Sequence, residues 1–207
     1  MKEIIFPQLL YHGTLDLHLE SFQKRLLNHI YWRPDRDFGA GFYTTISLSQ
    51  AKKWACQTAE KYVGIKTANP IVLAVELVKV PDDAEYRLFL TESLSWAAFV
   101  FVHRQNTRRD FDPCDRHPEL LIGPMADNNT GAIVQDAVKL NKDVQWFHDQ
   151  ITRTPAGRRL DSSRLGNQVV FASERFETYL QLCGHYAFNG RRWQYHDSAG
   201  KSEIGSL

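Results

Sequence analysis

The sequence predicts an α+β fold in a single domain spanning residues 1–207. Three observations point there. Strands and helices alternate irregularly instead of repeating as βαβα units. The run Pro70-Ile71-Val72-Leu73-Ala74-Val75-Glu76-Leu77-Val78 is dense enough in β-formers for a central strand covered on both faces. Near the C-terminus, two β-prone runs flank Asn189-Gly190, a pair suited to a tight hairpin turn. With 207 residues, 43% of them hydrophobic, the chain can bury one good core.

Taken in order, Ile4 to Tyr11 reads as a strand ending in the polar, glycine-opened tip His12-Gly13-Thr14. Leu17 to Leu27, with Leu19, Phe22, Leu26 and Leu27 apolar, reads as an amphipathic helix capped by Asp16. Asp37-Phe38-Gly39-Ala40-Gly41 is a tight turn feeding the strand Phe42-Tyr43-Thr44-Thr45. Ser47, with Gln50 three positions on, opens a helix through Ala51, Trp54, Ala55 and Tyr62. Thr91 opens a helix containing Leu94, Trp96, Ala97, Phe99, Val100 and Phe101. Leu120 to Pro124 is a short strand and Ala132 to Leu140 a helix. Thr152 to Gly166 is a polar loop, Asn167 to Phe171 a strand, and Ser173 caps a short helix. The hairpin joins His185-Tyr186-Ala187-Phe188 to Arg191-Arg192-Trp193-Gln194-Tyr195, with a type I′ turn expected at Asn189-Gly190.

A net charge of +1, from 25 basic and 24 acidic side chains, argues against a protein that coats polyanions. The odd set Cys56, Cys114 and Cys183, widely spaced, suits reduced thiols better than a disulfide framework. No apolar run reaches the length of a membrane span, and the start Met-Lys-Glu-Ile-Ile is unlike a signal peptide, so a cytoplasmic protein is expected. Gly39-Ala40-Gly41 lacks the third glycine and following helix of a dinucleotide fingerprint, so a Rossmann fold is disfavoured.

His12-Gly13-Thr14, Gly39-Ala40-Gly41-Phe42-Tyr43, the helix carrying Trp54, and Asn167-Gln168-Val169-Val170-Phe171 fall in one order. That order resembles the ADP-ribosyltransferase superfamily, specifically its poly(ADP-ribose)-polymerase-like, His-Tyr-Glu branch. Within the branch the chain is most similar to an uncharacterised bacterial family with Tyr-His-Gly, Asp-Phe-Gly-x-Gly-Phe-Tyr and Gly-Pro-x-Ala-Asp segments, here Tyr11 to Gly13, Asp37 to Tyr43 and Gly123 to Asp127. The resemblance runs from about Leu10 to Leu182. It implies two packed, mainly antiparallel sheets around an NAD cleft, with NAD as co-substrate. His12 and Thr14 would meet ribose hydroxyls, Gly13 the nicotinamide carboxamide, and Tyr43 and Trp54 the two faces of the nicotinamide ring. Gly39, Gly41 and Phe42 complete the NAD-binding set, and His12, Tyr43 and Gln168 are the catalytic candidates.

Two departures bear on the chemistry. Ala51 stands where the branch has a serine donating to the carboxamide. Gln168 stands where it has a glutamate that holds the ribose and stabilises the oxocarbenium-like sugar; glutamine can accept the hydrogen bond but carries no charge. Since glutamine cannot act as a general base, transfer of one ADP-ribose is expected over chain elongation. The resemblance therefore implies a mono-ADP-ribosyltransferase, a bacterial toxin held by an antitoxin, with NAD glycohydrolase or a silent NAD or ADP-ribose binding module as alternatives. An alignment to arginine-modifying relatives would put Val170 at their essential glutamate and is disfavoured. Glu174 and Glu177 are expected to face solvent from a helix.

Arg153, Arg158, Arg159 and Arg164 make the loop before Gln168 basic, so a nucleic-acid acceptor could bind there, extended by Arg191, Arg192 and Trp193. Asp37 is expected to fix the glycine turn. Cys114-Asp115-Arg116-His117 has a ligand-like spacing and His103 lies upstream, but no second close pair completes a set, so no metal is expected.

Overall fold

In chain order the strands are β1 (Leu9–Leu15), β2 (Phe42–Thr44), β3 (Pro70–Leu77), β4 (Tyr86–Leu88), β5 (Leu120–Pro124), β6 (Asn167–Phe171), β7 (Leu180–Phe188) and β8 (Trp193–Asp197). The helices are α1 (Leu19–Lys24), α2 (Leu48–Glu60), α3 (Leu94–Gln105), α4 (Thr130–Lys139) and α5 (Val144–Ile151). This computed structural model describes residues 6–64, 67–106, 108, 111–114, 116–126, 129–154, 156–159 and 166–198. The α+β class is borne out: two four-stranded sheets, ordered β1-β3-β7-β8 and β2-β6-β5-β4, are mostly antiparallel, with β4 and β5 the parallel pair. The chain forms two compact units, Met1–Leu27 with Thr44–Asp82 and Arg175–Leu207, and Asn28–Tyr43 with Asp83–Glu174.

In the first unit, β3 is an inner strand with Ile71 to Val75 all buried, as its β-dense run requires. Its pairing with β1 runs through to Leu15 opposite Pro70, so His12-Gly13-Thr14 lies inside the strand and forms no tip. The expected helix from Leu17 is a 3-10 turn at Asp16–His18 followed by α1, which stops at Lys24. It stops because the Glu177 carboxylate takes the next N–H groups, Leu26 at 3.0 Å and Leu27 at 2.6 Å. Asp16 caps nothing and instead accepts from the backbone and side chain of Asn69 (3.0 and 2.8 Å).

Glu177, expected to face solvent, is thus a structural acceptor. Glu174 likewise, in the second unit, accepts from the backbone N–H of His29 at 2.8 Å. Both lie on a 3-10 stretch, Glu174–Tyr179, where an α-helix was expected.

The hairpin β7–β8 is present, but only Gly190, at φ +84°, has positive φ in its turn. Gly190 and Arg191 are its central residues, closed by Asn189 N–H to Arg192 O at 3.2 Å, a type II′ pattern in place of the expected I′. The Asn189 side chain accepts from Arg191 and Arg192 N–H and holds its own backbone out of the left-handed region.

The second unit packs Phe38, Phe89, Trp96, Phe99, Phe147 and Val170 into one core. Helix α3 starts three residues later than Thr91, because Ser93 Oγ accepts from Trp96 N–H at 3.2 Å. Strand β4 and helix α5 were not expected from the sequence, although Asp143, whose carboxylate accepts from Trp146 N–H at 2.8 Å, is a cap of the usual kind.

In α2 the expected cap is in place, with Ser47 Oγ accepting from Gln50 N–H at 3.3 Å. Ser47→Ala is expected to cost about 1 kcal/mol, read as a lower urea midpoint with an unchanged denaturant slope.

Candidate functional site

Residues expected to serve NAD fall in both units: His12, Gly13, Thr14 and Trp54 in the first, and Gly39, Gly41, Phe42, Tyr43 and Gln168 in the second. In β1, backbone groups alternate between the two edges. Tyr11 bonds in both directions with Thr45 (2.8 and 2.9 Å), away from β3, while Asp16, in the opposite phase, donates to Asn69 O beside β3 at 2.9 Å. Gly13 shares the phase of Tyr11, so its N–H and C=O face the open edge just past that bridge. Among the described residues, nothing bonds to either group.

Gly13 is glycine for a packing reason that the sequence reading did not include. A Cβ there would sit 2.3 Å from Ala51 O and 3.0 Å from Ala55 N, so α2 could not lie on the sheet. Ala51 and Ala55 are buried in that contact, whereas Trp54, on the same helix, is 43% exposed. His12 and Thr14 point to the opposite sheet face, where the His12 ring lies 5.3 Å from that of Phe22. Thr14 is buried, so His12 is the more accessible of the two.

In the second unit the polar hub is Asp37, 6% exposed. Its Oδ1 accepts from Arg104 Nε at 2.6 Å, and its Oδ2 from Gln168 Nε2 at 3.3 Å and Ala126 N–H at 3.4 Å. Arg104 also donates to Asp35 O at 3.1 Å. Asp37, expected to fix the turn, therefore ties it to α3, β6 and the segment after β5.

Gln168, 4% exposed, stands opposite Gly123 and gives a second hydrogen bond to Pro124 O at 3.1 Å. Both partners are acceptors, which fixes the amide with its nitrogen toward them and leaves Oε1 as the group that can receive a hydroxyl. A glutamate could not make these two donations.

Tyr43 closes the glycine turn. Its hydroxyl accepts from Phe38 N–H at 2.9 Å and donates to Gly39 O at 2.8 Å. Burial, then the nearby Asp37 charge, pushes its pKa upward, so it remains a phenol. Phe42 is buried at 4% exposure. A Cβ on Gly41 would lie 2.7 Å from Val170 Cγ1 and 2.9 Å from Phe171 O, so this glycine lets β2 lie against β6. Gly39 has φ +76° and rests on the rings of His103 and His117.

The fold also gathers His103, Asp112, Cys114 and His117, adding Asp112 to the three residues that the sequence had singled out. Beside them is a cleft of about 440 Å³ lined by Pro34, Gly39, Ala40, His103, Asp112 and His117 among others. Of the basic loop, Arg153, Arg158 and Arg159 are exposed, with Arg153 Nε donating to Asp149 O at 3.1 Å; Arg164 lies outside the described residues. Arg191 and Arg192 are exposed on the hairpin, while Trp193 is half-buried with Lys52 Nζ 5.3 Å from its ring centroid. No helix among the described residues is long and apolar enough to cross a membrane.

The model of a family described as "Protein of unknown function (DUF3990)" matches residues 9–182, and the chain belongs to that family. No curated protein and no solved structure matches the chain.

Asp37→Asn is expected to destabilise the protein by about 3 kcal/mol, the low end for breaking a buried pair because Arg104 keeps some contact with water. Chemical denaturation checks it. Gln168→Glu would set a second carboxylate near Asp37, raising its folded-state pKa, so the folded state binds the proton more readily than the unfolded chain. The variant should therefore lose stability relative to wild type as pH rises above the ordinary carboxylate range and recover in acid. Denaturation midpoints at several pH values read this, and a difference independent of pH would show that the two groups are not in contact.

Proposed function

We propose that this family member binds NAD and transfers one ADP-ribose to a macromolecular acceptor, releasing nicotinamide. The observation that carries the reading is the open N–H and C=O of Gly13 on the edge of β1. One donor and one acceptor on a single residue match the amide hydrogen and carbonyl of a primary carboxamide. The half-exposed indole of Trp54 on α2 supports it, as a surface on which a cationic ring can stack. The roles of His12, Tyr43 and Gln168 rest on the resemblance: His12 on the adenosine ribose, Tyr43 on the nicotinamide ring, Gln168 Oε1 on a ribose hydroxyl.

In the reaction, the bond between the ribose anomeric carbon and the nicotinamide nitrogen breaks, and its electron pair neutralises the pyridinium. The acceptor's nucleophile then bonds to the anomeric carbon and loses a proton. Gln168 brings no charge to the oxocarbenium-like sugar, so slow turnover is expected. The biological setting we propose is a bacterial toxin restrained by an antitoxin. Its acceptor is a protein or a nucleic acid, the latter through the exposed Arg153, Arg158 and Arg159. A catalytically silent NAD or ADP-ribose binding module is a second reading, favoured by the neutral, doubly committed Gln168 amide.

Calorimetry with NAD, paired with labelled NAD in whole-cell lysate followed by nuclease or protease digestion, tests these readings. NAD should bind, label should enter one digestible class of polymer, and Trp54→Ala should weaken binding roughly 2- to 30-fold, the equivalent of about 0.5–2 kcal/mol. NAD recovered intact favours the silent module, and nicotinamide release without labelled polymer favours a glycohydrolase. If the folded protein binds neither NAD nor ADP-ribose, all three readings fail.

A further inference from the structure

We propose that His103, Asp112, Cys114 and His117 form a tetrahedral Zn²⁺ site that fastens the segment following α3 to that helix and to the Gly39 turn. The four residues offer one imidazole nitrogen each from two histidines, one sulfur and one carboxylate oxygen, and these atoms all lie within 4.8 Å of one another. His103 Nε2 is 3.4 Å from Cys114 Sγ and 3.6 Å from Asp112 Oδ1. His117 Nδ1 is 3.1 Å from Asp112 Oδ2. A tetrahedron with Zn–N bonds of about 2.05 Å and a Zn–S bond of about 2.3 Å has edges of about 3.3–3.6 Å, so only small side-chain adjustments would close the shell.

The surroundings are those of a prepared ligand set. His103 is 1% exposed at the end of α3, and its Nδ1–H donates to Phe99 O, one turn back, at 2.7 Å. That bond selects the tautomer with a lone pair on Nε2, aimed at the cluster, which is how metal-binding histidines are usually oriented. Phe99 stacks on the same ring at a centroid distance of 4.0 Å.

A hydrogen-bonded cluster without metal explains the site less well. Both ring nitrogens of His117 are buried, and neither its approach to the Phe38 backbone nor its 3.1 Å approach to Asp112 is a well-aligned hydrogen bond. An unmet pair of buried polar atoms is costly. With the thiol deprotonated, its proton passing to solvent, one thiolate and one carboxylate balance Zn²⁺ and leave the part-buried site neutral. The mixed nitrogen, sulfur and oxygen set favours zinc over magnesium or calcium. Four protein ligands leave no open position, so the role is structural.

A Cβ on Gly39 would lie 2.9 Å from His103 Cδ2 and 3.2 Å from His117 Cε1, which places the glycine turn against both ligand rings. Fixing them would fix the turn that carries Asp37 and Tyr43. This inference stands apart from the NAD reading.

The test is to titrate the purified full-length chain, stripped by chelator, with Co²⁺ and then Zn²⁺. Expected are about one Co²⁺ per chain, the intense visible bands of tetrahedral cobalt, a thiolate-to-cobalt charge-transfer band, and displacement of all of them by Zn²⁺. Cys114→Ser should abolish the charge-transfer band and His117→Ala should weaken metal binding at least about tenfold, with folding of each checked by circular dichroism. Wild-type protein that takes up no stoichiometric cobalt overturns the proposal. So does cobalt that binds with an octahedral spectrum, or with a charge-transfer band that survives Cys114→Ser.

Discussion

The second unit depends on keeping one carboxylate out of water. A buried charge is tolerated only when a counter-charge and hydrogen-bond donors occupy its oxygens, and Asp37 has both: the Arg104 guanidinium on one oxygen, Gln168 and Ala126 on the other. Each donor comes from a different stretch of chain. Arg104 lies on α3, Gln168 on β6, and Ala126 just beyond β5, so the glycine turn after Asp37 is held from three sides before Tyr43 closes it. This makes Asp37-Phe38-Gly39-Ala40-Gly41-Phe42-Tyr43 a closed unit, in which the tyrosine hydroxyl reaches back from the far end to Phe38 N–H and Gly39 O beside the anchored aspartate.

Glycine serves two distinct constraints here. At Gly39 the backbone itself demands it, since φ +76° is left-handed territory. At Gly13 and Gly41 the backbone is ordinary and the demand comes from neighbours, a helix backbone in one case and a strand in the other. The result at Gly13 bears on ligand chemistry: the missing Cβ admits α2 on one face, while the N–H and C=O point along the sheet to its open edge. Helix packing and any use of those two groups by a ligand therefore lie in perpendicular directions of the same residue and would not compete.

Local chemistry made much of the fold legible. Strands β3, β5 and β6 match their apolar runs, and α2 its Ser47 cap, because those signals lie within the element itself. What escaped was set by distant partners. Glu177 looks like a helix-surface residue until its carboxylate is found on the N–H groups of Leu26 and Leu27, and Asp16 looks like a cap until Asn69 takes it. Of the His103, Asp112, Cys114 and His117 grouping the sequence showed three members but no second close pair, and it is folding that brings His103, at the end of a helix, to the other three. Helix α5 was legible in part, through Asp143, but its apolar face is brief.

The neutral residue at 168 is better understood through its neighbour than as a lost glutamate. Its nitrogen donates to a carboxylate, and a charge-assisted bond of that kind polarises the amide, drawing electron density toward Oε1. Within the proposed reading, the oxygen meant to hold a ribose hydroxyl is then a stronger acceptor than that of an isolated glutamine. In that reading, the negative charge that the resembling ADP-ribosyltransferases would place on the reacting sugar sits one residue back, on Asp37. A charge at that remove, already shared with Arg104, stabilises a cationic sugar less than a direct contact would. In the proposed reading its part would be to orient the ribose through Gln168, so that NAD would be held in place and cleaved slowly.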